Sequence, residues 1–388
     1  MILICHFGCD SSTPGFDSTV ESVRGDIIRT EQLRSYTADQ INQLTENLGI
    51  PYSARHDIVL YVMEYMTVDT KGQLTVASGI VVIPTPVVER LPIVSFQHGT
   101  AVKRSSVPSE GSIEHTLIGM LFSGDGYISV MPDLVGLGSS AGLHPYLIAD
   151  VSAFAVIDML RAVTRWSTTQ VWEVSNQVYL TGYSSGGYTA MAAHRAIESD
   201  YSDEFTVVAS APMAGPYDLS GTMLELMLQD TSYPQPYYLP YILLSYTEAY
   251  DLYASPSDFL ASPYDVTLPP LFNGTHGADE INDAMPQVPI QIIRKDVVQA
   301  VKDNPDHPFV QRLRENDLIN WTPRSQMRLY HCAADEIVPI ENSQVAAQEL
   351  GPVAVLVDPS PESGHLSCAL IAIANTRAWF NSISTSEG

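Results

Sequence analysis

Short continuous runs of mainly apolar residues, each bounded by turn residues and separated from the next by a helical stretch, constrain this chain more than any other feature. Residues 93–96, 127–131, 178–180 and 207–211 show none of the alternation of a half-exposed strand, so both of their faces must be covered. Helices supply the cover. Residues 146–166 carry apolar side chains at Ile148, Val151, Phe154, Ala155, Ile157 and Leu160, close to a 3.6-residue period, and residues 188–198 form a second helix behind a glycine pair. The pattern predicts an α/β fold with a mostly parallel central sheet flanked by helices. With 388 residues, 45% of them hydrophobic, the chain can build a core of that size.

The regions on either side have a different character. Residues 58–68 and 74–83 are β-rich runs separated by Asp69, Lys71 and Gly72, a hairpin signal. Ahead of them lies a polar arm, then a short helix opened by the capping-box pair Thr37 and Gln40 and closed by Gly49 and Pro51. Beyond Asp218 the alternation stops for about a hundred residues, in which Pro and Tyr are frequent. It resumes at residues 327–330 and 353–357 and ends in a helix over 366–380. The organisation expected is an arm and short helix (1–56), a first core part (57–217), an inserted, largely helical cap (218–322) and a second core part (323–388). A long connection between two strands of one sheet belongs over the carboxyl edge.

Charge narrows the partners. Asp and Glu number 44 against 19 Lys and Arg, a formal charge of −25, which repels polyanions and so speaks against nucleic acid and anionic membrane surfaces. Only four of the basic residues are lysines, which fits a salty environment and a soluble secreted protein alike. No uncharged run reaches membrane-spanning length, so no integral membrane segment is expected. Four cysteines are too few for a disulfide scaffold and lack metal-type pairing, so no metal is expected. Cys332 and Cys368 end segments that should meet; a bridge is open, and two inert buried thiols are the more ordinary expectation. Residues 1–7 are too short and lack the positive start of a complete signal peptide. Residues 7–12, with Gly8 before Cys9, are similar to the end of a lipoprotein signal followed by a polar tether, although His6 stands where an aliphatic residue belongs.

Two stretches read Gly-x-Ser-x-Gly. Gly138-Ser139-Ser140-Ala141-Gly142 sits in a loop between Gly136 and Pro145 and is assigned to backbone flexibility. Gly182-Tyr183-Ser184-Ser185-Gly186 lies directly between an apolar strand and a helix, where a tight turn projects a hydroxyl above the sheet and the helix aims free N–H groups at any oxyanion formed there. Ser184 is therefore the candidate nucleophile. A serine hydroxyl needs a base, and the base needs an orienting group. His365 follows the last apolar run and precedes the terminal helix; His56, His115 and His194 sit in arm or helical segments with ordinary roles. Asp335, after residues 327–330, is the candidate acid, with Asp218 at the end of the preceding strand as its main rival, then Asp358 and Glu336. Glu336 is expected to be a solvated surface group.

In the order Ser184, Asp335, His365 the chain resembles the α/β-hydrolase superfamily over about residues 57–388, and most of all the secretory lipase and esterase group typified by the fungal lipase A enzymes, from Gly182-Tyr183-Ser184-Ser185-Gly186-Gly187 and the long insertion before Asp335. The resemblance implies a serine carboxylester hydrolase acting on a small ester or acylglycerol through an acyl-enzyme, without cofactor, in an extracellular, periplasmic or lipid-anchored setting. It further implies that Gln97-His98-Gly99-Thr100 is the oxyanion loop, with the N–H groups of Thr100 and Ser185 as donors, His98 and Gly99 shaping the loop, and Gly182, Gly186 and Gly187 shaping the turn. No Gly-Gly-Gly follows His98, so bulky tertiary-alcohol esters are not implied. Asp133 in Asp133-Leu134-Val135-Gly136-Leu137-Gly138 is expected to turn the chain beside the site. Tyr238, Leu239 and Tyr241 in the insertion suit an acyl pocket and an ordinary helical core equally. A peptidase or acyltransferase would use the same triad, and a non-catalytic binding protein the same fold.

Overall fold

The structure, a computed structural model, describes residues 22–87 and 90–384. The lipoprotein-like segment of residues 7–12, with Cys9, and Cys5 ahead of it lie outside the described residues. Among the described residues nine strands form one sheet: β1 (Ile27–Tyr36), β2 (Asp57–Val68), β3 (Leu74–Thr85), β4 (Leu91–Gln97), β5 (Ile128–Pro132), β6 (Val174–Tyr183), β7 (Thr206–Met213), β8 (Gln326–Tyr330) and β9 (Ala354–Val357). Their order is β1-β2-β3-β5-β4-β6-β7-β8-β9. The pairs from β5 to β9 are parallel, and β1, β2, β3 and β5 pair antiparallel. The mainly apolar runs occupy the middle, and β5 is buried at every position.

Part of the polar arm is a strand. β1 pairs with β2 along its length and, among the described residues, has no partner on its other side. An edge strand is held by main-chain hydrogen bonds and is kept from pairing with other chains by charged side chains; Arg29, Glu31 and Arg34 are of this kind, and most of β1 is exposed. Helix α1 (Ala38–Asn47) follows as expected, with the Gln40 N–H donating to Thr37 Oγ1 at 3.2 Å and the Thr37 N–H to Gln40 Oε1 at 2.9 Å.

Helices cover both faces. α3 (Ala149–Ser167) and α4 (Ser185–Asp200) pack into one apolar cluster, and α2 (Ile113–Ser123) and the terminal helix His365–Ser384 into the other. His365 is thus the first residue of the terminal helix. Residues 219–322 lie between β7 and β8, which are neighbours in the sheet, and contribute no strand to it. Buried phenols and a hydroxyl fasten this insertion to loops at the ends of core elements: Tyr241 Oη donates to the Ala101 carbonyl at 2.9 Å, Tyr246 Oη to Leu147 at 2.8 Å and Ser245 Oγ to His144 at 2.8 Å. Each bond satisfies a polar group that burial would otherwise leave unpaired.

Candidate active site

β6 ends at Tyr183 and α4 begins at Ser185, so Ser184 alone makes the turn, at φ 59° and ψ −125°. A non-glycine residue in this region costs about 1–3 kcal/mol and persists only where its surroundings hold it. Here the Ser184 N–H donates to the Met213 carbonyl at 2.9 Å, and its own carbonyl accepts from the Tyr188 N–H at 3.2 Å. Strand and helix come so close that a methyl group on Gly186 would meet the Gln97 carbonyl oxygen at 2.0 Å, and one on Gly182 would meet the Gly186 oxygen at 2.3 Å. Gly187 stands equally close to Met213. The other Gly-x-Ser-x-Gly stretch is a loop with positive φ at Gly138 and Gly142, and its central Ser140 Oγ is buried without a partner.

Asp335 lies in the loop after β8, with Oδ2 2.6 Å from His365 Nδ1. Its Oδ1 accepts the N–H groups of Ile337 at 2.9 Å and Val338 at 2.8 Å. A second histidine shares the carboxylate: His331 Nε2 is 3.2 Å from Asp335 Oδ2 and 2.9 Å from the Val338 carbonyl, while its Nδ1 is 2.7 Å from Ser343 Oγ. A carbonyl only accepts, so His331 Nε2 carries the proton. Burial alone would push the Asp335 carboxyl up, but hydrogen bonds from His331 and His365 outweigh it and hold the group well below the usual carboxylate range. Ionised Asp335 fixes the proton of His365 on Nδ1 and leaves Nε2 with a free lone pair.

Covalent and hydrogen bonds join this pair to the serine turn. Tyr183, the residue before Ser184, donates its hydroxyl to the His365 carbonyl at 2.5 Å, and the His365 N–H donates to Glu336 Oε2 at 3.0 Å. Cys332 and Cys368 form a disulfide across a separation of 36 residues, so the expectation of two free thiols is corrected. The bridge ties the Asp335 loop to the first turn of the His365 helix. Among the described residues no hydrogen bond joins Ser184 Oγ directly to His365; such bonds often tighten only when substrate is bound.

The rival carboxylates are occupied elsewhere. Asp218 stands beyond the end of β7 rather than in it, and its side chain caps the following turn by accepting the N–H groups of Gly221 at 3.2 Å and Thr222 at 2.8 Å. Asp358 accepts from Ala333 and Ser360 in a turn. Glu336 is exposed, as a solvated surface group would be, and its carboxylate also accepts the His365 N–H and borders the cavity over Ser184.

That cavity measures about 260 Å³. Leu219, Met223, Met227 and Ile242 give it an apolar wall, and Gln229, Thr231 and Glu336 a polar rim. Tyr238 and Leu239 line it with Ser184 and Ser185. Tyr241 does not; its ring stacks on Tyr146 at 4.6 Å behind the wall. On the core side, a methyl group on Gly99 would lie 3.9 Å from Ser184 Cβ, which puts the loop of residues 97–100 against the serine. Thr100 Oγ1 bonds to Tyr146 Oη at 3.0 Å. No group of three or more His, Cys, Asp or Glu that could hold a metal occurs among the described residues.

One wall segment, Leu219–Met223, hangs on two carboxylates, Asp218 and Asp317. Asp317 accepts the Ser220 N–H at 2.9 Å and the Ser220 hydroxyl at 2.5 Å. Burial raises its carboxyl to about 6, against the Ser220 bonds. A raised folded-state value favours the protonated native state, so this contribution to stability is full below about 4, the unfolded value, and fades as pH rises through about 6. Asp317→Asn is expected to remove that part of the pH dependence, measured as the difference in urea midpoint between variant and parent across the same window.

Residues 102–230 match the secretory lipase family. Among solved structures, a putative hydrolase from Legionella pneumophila is similar at 25% identity and a TM-score of 0.87, over 93% of this chain and 99% of that one. The rice cell wall degrading esterase LipA from Xanthomonas oryzae is similar at 27% identity and 0.84, over 92% and 97%. The chain is an α/β-hydrolase of the lipase and esterase kind. Candida antarctica lipase A shares the fold at 16% identity and 0.66, over 91% and 83%. No curated protein matches this hydrolase, and no helix among its described residues is long and apolar enough to cross a membrane. Three residues around its site were missed by sequence reasoning in the roles they hold: His331, Tyr183 and Glu336. Tyr183 and Glu336 each neighbour a motif residue but bond to His365, 182 and 29 positions away, and His331 meets Asp335 four positions on only through the fold of the loop after β8.

Proposed function

We propose that this hydrolase cleaves carboxylic esters through an acyl-enzyme on Ser184. The observation that carries the proposal is the Asp335–His365 pair, fixed at 2.6 Å and bonded to the serine turn beneath a largely apolar cavity. Ser184 Oγ attacks the ester carbonyl as His365 Nε2 takes its proton, and Asp335 holds the imidazolium that results. The N–H groups of Thr100 and Ser185 receive the oxyanion. The alkoxide leaves with the proton from His365; a water activated by the same nitrogen then releases the acid and restores the serine.

Residues 218–322 act as a cap whose apolar wall receives the acyl chain, while the alcohol lies toward the rim with Gln229, Thr231 and Glu336. Rim acidity and the formal charge of −25 favour neutral alcohols over anionic ones. The Cys332–Cys368 bridge suits work in an oxidising compartment, in keeping with an extracellular or secreted enzyme.

The test is turnover of nitrophenyl esters of graded acyl length beside aminoacyl amides. Esters are expected to react and amides to react far more slowly; faster amide cleavage would make this a peptidase. Leu239→Trp then probes the wall. With an indole filling the cavity, octanoate ester turnover is expected to fall about 10- to 100-fold while acetate turnover stays nearly unchanged. Equal loss on both esters would make Leu239 ordinary cap core.

A further inference from the structure

The rim of the cavity over Ser184 bears on the alcohol half of the ester. Among the described residues lining the cavity, Glu336 alone carries a formal charge, and no lysine or arginine is there. Its Oε2 accepts the His365 N–H at 3.0 Å, and its Oε1 has neither a hydrogen-bond nor an ion-pair partner among the described residues. A carboxylate left without a partner beside a largely apolar wall attracts a cation more strongly than one surrounded by water does. The formal charge of −25 adds a field of the same sign over the whole surface.

Three tyrosines line the same cavity, Tyr146, Tyr233 and Tyr238. The Tyr233 hydroxyl donates to the Ile337 carbonyl at 2.9 Å, which sets this ring beside the stretch of chain that carries Glu336. The Tyr146 hydroxyl is engaged by Thr100. With those hydroxyls held elsewhere, the two residues give the cavity ring surface. The Tyr238 ring lies 6.3 Å from that of Tyr233 and 6.1 Å from that of Tyr146, centroid to centroid, so the three form one aromatic patch. Burial holds the Tyr233 and Tyr238 phenols above their ordinary value, and Asp335 adds to this at both. The rings are therefore uncharged, with electron-rich faces that attract cations.

An ammonium group gains from both parts of this rim, the charge of Glu336 and the ring quadrupoles of Tyr233 and Tyr238. A neutral group of the same shape gains only the contact area. We propose that the alcohol half of the substrate carries an ammonium group, held by Glu336 and the rings of Tyr233 and Tyr238 while the acyl half lies on the apolar wall. The proposal rests on the ester hydrolase reading and narrows it to esters of amino alcohols. Quaternary ones fit best, because they have no N–H that the rings would leave unpaired.

The experiment compares two butanoate esters on the full chain, that of choline and that of 3,3-dimethylbutan-1-ol, in which carbon replaces the nitrogen. Each kcat/KM is divided by the ester's rate of alkaline hydrolysis in water, which removes the activating effect of the cation. The expected result at low salt is a ratio of about ten in favour of the choline ester, falling about threefold in Glu336→Gln and in Tyr238→Leu. Glutamine keeps an acceptor for the His365 N–H, and a ratio between two esters of one acid cancels a change in the chemistry itself. A ratio of one or less in the parent protein overturns the proposal, whether or not either variant folds. A ratio that survives either substitution overturns it as well. Calorimetry with tetramethylammonium reads the same site without turnover, and its binding is expected to be about threefold weaker in Glu336→Gln; equal binding by parent and variant would contradict the assignment. Weakened binding in that variant, with no ester of any kind cleaved by the parent, would leave the cation site standing and refute the ester hydrolase reading instead.

Discussion

Ser184→Ala is expected to lower ester turnover by about five to six orders of magnitude while leaving the fold intact. In the proposed mechanism the hydroxyl is the attacking atom, and loss of a nucleophile from a cooperating triad removes nearly everything the triad supplies. Alanine takes the turn at φ 59° no worse than serine does, since both carry a Cβ, and the backbone bonds to Met213 and Tyr188 remain. Ser140→Ala is the matched control. Its hydroxyl is buried without a partner, so removing it orphans nothing and should leave activity and stability alone. A dead Ser140→Ala beside an active Ser184→Ala would reverse the choice between the two motifs.

Asp335→Asn is expected to lower kcat by about three to four orders of magnitude. Its amide would keep an acceptor for Ile337 and Val338 but turn an NH₂ toward His365 Nδ1, now 2.6 Å from Oδ2. The imidazole would then carry its proton on Nε2 and offer the serine no lone pair. Asp218→Asn keeps an acceptor for the turn of Gly221 and Thr222 and should leave kcat nearly unchanged. Steady-state kinetics of the two variants on one ester check this, and the opposite ranking would move the acid to the turn after β7.

The parallel core was legible because strands covered on both faces carry mostly apolar runs, and residues 93–96, 127–131, 178–180 and 207–211 at β4, β5, β6 and β7 are such runs, interrupted only by Ser95, Ser129 and Ser210. The serine turn was legible because steric demands there admit few residues: Gly182 and Gly186 mark contacts that no Cβ could make. β1 was not, because an edge strand is specified by main-chain pairing and its polar side chains read as an arm. Asp218 was misplaced because the apolar character of β7 continues through Ala214 and Pro216 after the ladder has ended. In the helix Tyr238–Tyr250, apolar and aromatic on nearly every side, periodicity could not say which face meets the cavity; Tyr238 and Leu239 do, and Tyr241 does not. The Cys332–Cys368 bridge depends on a Cα separation of 6.1 Å that only the packing of the His365 helix against the sheet brings about.

The nucleophile can be read directly by treating the protein with a fluorophosphonate, which traps an activated serine, and locating the adduct by peptide mass spectrometry. The expected result is one adduct, on Ser184, formed in step with loss of ester activity and absent from Asp335→Asn over the same time. An adduct on Ser140, or full loss of activity with Ser184 unmodified, would contradict the assignment of this turn as the catalytic centre.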